Sequence, residues 1–275
     1  MPQLARSYLY VPGDRPDRVV KALSSSADAV IVDLEDAVTF DRKDTARSVI
    51  SDLDATVATS VAQVWVRIGA GHEGRRDLQA VASCESVHGL VLAKCDSPAW
   101  IDEVAAVVGP QVLLSPLIES AVALGDVHAI AQHPRTHRLQ LGEVDMVADL
   151  GGHSPGADVL VQHARVAVVV ASAAAGIAAP VGGVHLAIDD LDSLQTSSLL
   201  LRQMGFGARA LIHPKHCDIA NVAFAPSADE VAWAEDTLAR AGASTGGALR
   251  AADDSMIDEA VLRRARAIVA VPRSI

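Results

Sequence analysis

Short aliphatic segments recur along the chain roughly every 25 to 35 residues, and longer helix-like stretches separate them. The segments are Ser7–Pro12, Ala29–Glu35, Val64–Gly69, Gly89–Lys94, Val112–Glu119, Arg138–Asp145, Val181–Ile188 and Arg209–Pro214. Nearly continuous runs of Val, Ile and Leu are typical of strands buried on both faces of a parallel sheet. Strict alternation with helices indicates an α/β fold, and eight repeats favour a (β/α)₈ TIM barrel over an open doubly wound sheet.

The end of the chain departs from this repeat. Residues 1–240 are predicted to form the barrel and to carry the catalytic site, and residues 241–275 a linker and a C-terminal helical arm. Ala241–Ser255 is rich in Gly and other small residues, as a flexible linker is, and Met256–Val269 has a helical pattern. The arm is predicted to pack either on a neighbouring subunit or on its own barrel.

Charge and composition exclude several classes of function. The net charge is −11 and only eight residues are aromatic, so the chain lacks the basic, aromatic groove of a single-strand nucleic-acid binder. Three scattered cysteines give no disulfide framework and suit a reducing compartment, so we expect a cytoplasmic protein. The apolar segment 166–184 is interrupted by Gly and Pro, so we interpret it as a buried helix that leads into a strand and expect no membrane contact.

Three carboxylates follow the second aliphatic segment. Asp33 and Glu35 share one face of the predicted strand, and Asp36 comes next. Asp36 is also a candidate for the first turn of the next helix, where negative charge is favourable. Arg67, at the end of the third segment, could bind a substrate carboxylate or stabilise an enolate oxygen. It could equally be the structural partner of Asp33 or Glu35.

Two further carboxylates, Glu119 and Asp145, end the fifth and sixth segments. Carboxyl ends of parallel strands meet at one end of a barrel, so these side chains are expected to lie near each other. Mg²⁺ commonly takes one or two carboxylates and completes its octahedron with water and substrate oxygens. Glu143 is predicted to share the strand face of Asp145. The spacing therefore indicates a Mg²⁺ site, with ordinary salt bridges as the alternative.

Several motifs together resemble the HpcH/HpaI aldolase/citrate lyase family, in its branch similar to the citrate lyase β subunit. The resemblance extends from about residue 6 to 260. The segments that carry it are Arg6–Ala22, Ala27–Val38, Val64–Ala70, Pro116–Ala121, Gly142–Gly152, Gly205–His216 and Asn221–Ala234. The resemblance implies a (β/α)₈ barrel that assembles as a homotrimer or a multiple of it.

The resemblance also implies a chemistry. Mg²⁺ would be held by Glu119 and Asp145, and Arg67 would grip the oxo or enolate oxygen of the substrate. Members of the family cleave or form a C–C bond, and those similar to this chain act on acyl-CoA thioesters such as citramalyl-, malyl- or citryl-CoA. In such relatives an acid on the C-terminal arm reaches a neighbour's site, and Asp258 is the matching residue.

The remaining roles are hypotheses for this chain. Glu35 or Asp36 is the candidate general base or orienting group. Arg15 and Lys21 in the first loop and helix are candidates to bind the phosphates of CoA, although a solvated helix face explains them equally well. The substrate is expected to be a small acyl-CoA or a short keto or hydroxy acid that contacts Arg67 and Glu119.

This chain departs from the family pattern at five positions close to these motifs. They are Gly69, Ala93, Val144, Arg209 and His216, where the family usually has Asn, Pro, Glu, Lys and Gln. The metal and arginine positions survive, so lyase chemistry stays the expectation and the acyl group stays open. A thioester hydrolase that uses Asp258, and a ligand-binding barrel without catalysis, are the alternatives.

Overall fold

Eight parallel strands close into a barrel in the part of the chain that the structure describes. The structure is a computed structural model that describes residues 4–57, 60–243, 249–250 and 256–270. The strands are β1 (Ser7–Pro12), β2 (Ala29–Asp33), β3 (Gln63–Ile68), β4 (Val87–Leu92), β5 (Leu113–Ile118), β6 (Arg138–Leu141), β7 (Ala178–Gly182) and β8 (Ala208–Leu211). Each strand pairs in parallel with the next, and β8 pairs with β1, which closes the barrel. The predicted (β/α)₈ barrel is confirmed.

Helices connect the strands on the outside. They are α1 (Pro16–Leu23), α2 (Lys43–Ser51), α3 (Leu53–Val57), α4 (Gly71–Val81), α5 (Pro98–Ala105), α6 (Ala121–Gly125), α7 (Val127–Gln132), α8 (Glu143–Asp149), α9 (Ala157–Ala175), α10 (Leu191–Met204) and α11 (Cys217–Ala223). α9 and α10 both end at a glycine in the left-handed region, Gly176 with φ 68° and Gly205 with φ 104°. A side chain at that conformation is strained, which explains why these two helices stop there.

The hydrophobic core has two layers, because successive strand residues point to opposite faces. The larger layer fills the space between the strands and the helices. The smaller one fills the barrel interior, where Tyr8 packs edge-on against Trp65 with ring centroids 5.5 Å apart. Gly89 on β4 leaves room for that indole, since a Cβ there would come within 2.4 Å of the Trp65 ring. The interior is therefore packed with side chains.

Helix α9 is long and apolar enough to span a membrane by length and composition alone. In the structure it packs against β6 and β7, and against α7 and α8. Its buried face includes Ala164, Val168 and Ala171, which belong to the outer core layer. It leads into β7, so the predicted helix followed by a strand is confirmed. The predicted burial is wrong for most of the helix, because Val159, Val166 and Val170 are exposed on the outer face of the barrel.

The chain divides into two compact units, residues 5–224 and a second unit that contains residues from 225 onward. The second unit consists of α12 (Ala228–Ala243), a short antiparallel pair β9 (Leu249–Arg250) and β10 (Met256–Ile257), and α13 (Glu259–Val269). α12 and α13 pack on each other, and the Arg264 guanidinium lies 5.0 Å from the centroid of the Trp233 ring. Part of the predicted linker falls outside the described residues.

Candidate active site

The register of β2 and β3 places a carboxylate and a guanidinium side by side at the carboxyl end of the barrel. Asp33 pairs with Arg67 in the parallel ladder. Arg67 donates from Nε and Nη2 to the two Asp33 carboxylate oxygens, at 2.7 and 2.5 Å, and its Nη1 lies 3.3 Å from Glu35 Oε2. The guanidinium is thus held as a fixed fork. These contacts use three of its five N–H groups, so at least two remain for a ligand.

Asp33 is completely buried, and its partners account for that. Besides Arg67, its oxygens accept the backbone N–H groups of Glu35 at 2.9 Å and Ala37 at 3.0 Å. A carboxylate in the interior needs such partners to offset its lost hydration. Asp33 therefore fixes both the arginine and the loop that follows β2, and it is a structural residue of the site.

Tyr10, on the neighbouring strand β1, covers the other side of the arginine. Its ring centroid lies 5.0 Å from the Arg67 Cζ atom, a cation–π distance. The tyrosine lines the cavity at the carboxyl end of the strands. Burial raises the pKa of the Tyr10 phenol above its usual value, so at neutral pH the hydroxyl is a hydrogen-bond donor.

Glu35, Asp36 and Lys94 form a second charged group beside the arginine. Glu35 is buried, and its Oε1 is hydrogen-bonded to Lys94 Nζ. The Lys94 ammonium also lies 3.5 Å from Asp36 Oδ1. Burial raises the pKa of Glu35, against the opposing effect of Lys94 and Arg67. Asp36 lines the cavity, whereas Glu35 lies behind it.

Glu119 follows β5 and is almost fully buried beneath the cavity. Its Oε1 accepts the backbone N–H of Lys94 at 2.7 Å. Lys94 adopts a left-handed φ of 51°, an unusual conformation for a residue with a side chain and one that is commonly found at functional sites. Gly142 makes room for the carboxylate, because a Cβ there would lie 2.7 Å from Glu119 Cβ. Burial raises the pKa of Glu119 to about 7.

Asp145 lies on a helix rather than at the end of a strand. The predicted sixth segment ran to Asp145, but β6 ends at Leu141, and Glu143 begins α8. Negative charge in a first helical turn is favourable, which agrees with this early start. The prediction that Glu143 shares a strand face with Asp145 is wrong, because both residues lie on α8. Both carboxylate oxygens of Glu143 accept hydrogen bonds from Arg165 of α9, at 2.7 and 2.8 Å. Asp145 itself is exposed and lines the same cavity as Glu119.

One cavity of about 360 Å³ is lined by Tyr10, Asp33, Asp36, Arg67, Glu119 and Asp145. Asp33 and Glu35 are compensated by Arg67 and Lys94. In the ranges that the structure describes, neither Glu119 nor Asp145 is hydrogen-bonded to a cationic side chain. A hard divalent cation fits this excess of negative charge and these oxygen donors. No three His, Cys, Asp or Glu side chains converge as a ligand set within those ranges, so water and substrate would supply the other ligands.

Besides Glu35, two predicted site residues of the barrel unit, Arg15 and Lys21, are not among those that line the cavity. The Arg15 guanidinium binds Asp17 at 3.1 and 3.0 Å and is partly exposed. Lys21 is exposed on α1. Asp258 is the N-cap of α13, where its Oδ1 accepts the Val261 N–H at 2.9 Å. The roles of Arg15, Lys21 and Asp258 in binding CoA or in catalysis stay predictions.

Among the polar side chains that line the cavity, the sequence analysis missed Tyr10 and Gln140, and it gave the neighbouring Lys94 no role. Tyr10 and Gln140 occupy inward-facing positions of β1 and β6 near the carboxyl ends of these strands. Alternation along each run was the available signal, because a polar residue on the inner face of a barrel strand requires a partner. The left-handed conformation of Lys94 has no signal in the sequence.

The fold and this cluster together define a (β/α)₈ barrel protein with an arginine and carboxylates gathered at the carboxyl end of the strands. Barrel enzymes carry their active sites at that end. The sequence profile of HpcH/HpaI aldolase/citrate lyase matches residues 6–214. The chain therefore belongs to the HpcH/HpaI aldolase/citrate lyase family, as its motifs predicted.

Individual proteins that are similar to this chain support the family assignment. A (3S)-malyl-CoA thioesterase of Cereibacter sphaeroides is 35% identical over 237 residues, which are 85% of this chain and 82% of that protein. A citrate lyase subunit beta-like protein of Mycobacterium tuberculosis is 34% identical over 270 residues, 95% of this chain and 93% of the relative. The crystal structure of CitE from Mycobacterium tuberculosis, in complex with magnesium, acetoacetate and coenzyme A, superposes with a TM-score of 0.80. It is 32% identical and covers 96% of each chain.

Proposed function

We propose that the protein is a Mg²⁺-dependent C–C lyase that cleaves a short 3-hydroxyacyl-CoA thioester of the citramalyl-, malyl- or citryl-CoA kind. The observation that carries the proposal is the position of Glu119 and Asp145 on one cavity that Arg67 also lines. The family, and the magnesium and coenzyme A in the complex of the CitE protein, support it. A cytoplasmic location and a homotrimeric assembly belong to the same proposal.

Glu119 and Asp145 would hold the cation. When bound, Mg²⁺ supplies Lewis-acid polarisation of substrate oxygens. The Arg67 fork, fixed by Asp33, is placed to donate to an oxygen that gains charge during cleavage, and its positive charge is not lost at any physiological pH. Loss of one such stabilising donor typically costs about 2.7–4 kcal/mol in the barrier.

The loop after β2 supplies the proposed group that removes the proton from the substrate hydroxyl. Asp36 lines the cavity, whereas Glu35 is bound by Lys94 and Arg67. We therefore propose Asp36 as the general base and Glu35 as its positioning neighbour. The base takes the proton of the 3-hydroxyl, the O–H electron pair forms the new carbonyl, and the C–C bond breaks. The electron pair of that bond forms the thioester enolate, which takes the proton back from Asp36 at carbon to give the acyl-CoA.

Thioester hydrolysis is the second candidate, because relatives up to 35% identical are named (3S)-malyl-CoA thioesterases. In that reaction water adds its oxygen to the acyl carbon, the C–S bond breaks, and CoA leaves as the thiol with a proton from the water. Asp258 on the C-terminal arm is the proposed group that assists the attack of the water. A homotrimer would let this residue serve a neighbouring barrel.

Product analysis separates the two reactions. The protein is incubated with Mg²⁺ and malyl-CoA or citramalyl-CoA, and the products are resolved by chromatography. A lyase yields acetyl-CoA with glyoxylate or pyruvate, whereas a thioesterase yields free CoA with the intact hydroxy acid. Lyase products that disappear in Asp145→Asn support the proposal. Turnover that is unchanged after removal of Mg²⁺ and in Asp145→Asn contradicts it.

A further inference from the structure

The amide of Gln140 is a buried polar group that the proposed reaction leaves without a role. Gln140 lies on the inner face of β6, opposite Leu117 of β5 and Val181 of β7 in the ladder. Its side chain is 1% exposed and lines the cavity. Neither its Oε1 nor its Nε2 has a hydrogen-bond partner among the residues that the structure describes.

The next polar residue on the same inner face shows that such groups can be satisfied within the barrel. Arg138, two residues earlier, donates to the carbonyl oxygens of Ala5 and Ala179 and to the Tyr8 hydroxyl. An unpartnered buried amide costs about 1–3 kcal/mol, and an apolar side chain of similar size would avoid that cost. A group that enters the cavity and pairs with Gln140 recovers this free energy.

The position of Gln140 defines which part of a ligand it meets. Leu117 lies two residues before Glu119, and Gln140 two residues before Gly142, so Gln140 is one layer deeper in the barrel than the Glu119 carboxylate. Two residues along a strand span about 6.6 Å. A 2-oxo acid held beside Glu119 and Arg67 would therefore direct its short substituent toward Gln140.

The residues around Gln140 at the bottom of the cavity determine which kind of substituent would be favourable there. The nearby lining residues Leu117, Val184 and Ala210 are apolar. A carboxylate there would face the amide oxygen, which is costly. A methyl group would leave both amide atoms unpaired. A hydroxyl can accept from Nε2 and donate to Oε1 at the same time.

We propose that Gln140 is a specificity residue that hydrogen-bonds a hydroxyl on the short substituent of the 2-oxo acid portion of the substrate. This inference rests on the proposed function, because it takes the oxo acid to be held near Glu119 and Arg67. The substrate class that follows is the hydroxymethyl 2-oxo acid and its adducts with a thioester, in preference to the methyl analogue.

Calorimetric titration with two oxo acids tests the inference without turnover. In the presence of Mg²⁺, the wild type should bind 3-hydroxypyruvate at least about tenfold more tightly than pyruvate, since a site built for a hydroxyl rejects the analogue that lacks it. Gln140→Leu and Gln140→Met should lose this preference. Ser172→Ala is the matched control, because Ser172 Oγ on α9 is also buried and has no partner within the described part of the chain. Ser172 is not among the residues that line the cavity, so this variant should keep the preference.

Two results contradict the proposal. Mg²⁺-dependent binding of both oxo acids without any preference in the wild type refutes the role of Gln140 and leaves the proposed function standing. An equal preference in the wild type and both Gln140 variants does the same. No Mg²⁺-dependent binding of either acid refutes the proposed function, and this inference with it.

Discussion

Replacement of Asp33 should be the most damaging single change at the carboxyl end of the barrel. Asp33→Ala removes the partner of two Arg67 hydrogen bonds and of two backbone N–H groups. Removal of one member of a buried ion pair costs about 3–5 kcal/mol, because the other charge stays buried. Each orphaned N–H adds about 1–3 kcal/mol where water cannot reach it. Glu35 and entering water recover part of this cost, so we expect a total of about 4–6 kcal/mol.

Urea denaturation followed by tryptophan fluorescence measures this effect, since Trp65 lies in the barrel interior. Asp33→Asn retains one acceptor oxygen and should cost about 2–3 kcal/mol. Asp54→Asn is the matched control, because Asp54 also accepts backbone N–H groups, from Glu85 and Ser86, but is exposed. It should cost less than about 1 kcal/mol. A loss below about 1 kcal/mol in Asp33→Ala would refute the described role of the Asp33–Arg67 pair.

Three further predictions concern the site and the interior. Arg67→Lys keeps the charge but loses the fork, so kcat/KM should fall by about 100-fold or more; steady-state kinetics that match the wild type would contradict this. Gly142→Ala should displace Glu119, since its Cβ would lie 2.7 Å from Glu119 Cβ, and should weaken Mg²⁺ binding, whereas Gly125→Ala has open space and should not. Burial lowers the pKa of His137 to about 4. The unfolded chain therefore binds more protons than the folded protein between pH 6.5 and 4, and the free energy of unfolding should decrease as the pH falls through that window. In His137→Gln, urea titrations should show a decrease in the free energy of unfolding that is smaller by about 1–2 kcal/mol, after allowance for partial exposure of the imidazole.

Much of the barrel follows from the period of the sequence. Each predicted run overlaps a strand, and β1 matches its predicted bounds, because a buried parallel strand leaves a continuous apolar segment. The overlap is smallest for β7, which shares only its last two residues with the predicted run Val181–Ile188. The ends of the strands are predicted less accurately than their positions along the chain. The second run ended at Glu35, but the strand stops at Asp33, where the carboxylate turns the chain by accepting two backbone N–H groups. A hydrogen bond between a side chain and the following loop has no periodic signature.

The site was predictable in its residue types and only partly in its connections. Composition at the strand ends pointed to Arg67 and Glu119, and the structure places both on the cavity. Some of the carboxylates are neutralised by a cationic side chain and others are not. This difference depends on long-range contacts, because Arg67 and Asp33 are 34 residues apart in sequence and Lys94 and Glu35 are 59 residues apart. Such pairings arise from the register of the closed barrel, which local patterns do not specify.

The position of Asp145 illustrates the same point. Its type and its distance from Glu119 in sequence predicted a pair of carboxylates, and both line the cavity. The strand was predicted to carry Asp145, whereas a helix that begins at Glu143 does so. The sequence could not distinguish these, because the pair of Glu143 with Arg165 that secures the helix start joins residues on different helices.

Titration with Mn²⁺, used as a paramagnetic substitute for Mg²⁺, tests the central claim most directly. The wild type should bind one ion that Mg²⁺ displaces, and Glu119→Gln and Asp145→Asn should each weaken this binding by about tenfold or more, since each removes a charged oxygen donor. Asp149→Asn on the same helix as Asp145 should bind as the wild type does, because Asp149 faces Ala121 rather than the cavity. Binding of equal strength in all four proteins would contradict the assignment of Glu119 and Asp145 as the ligands of the cation.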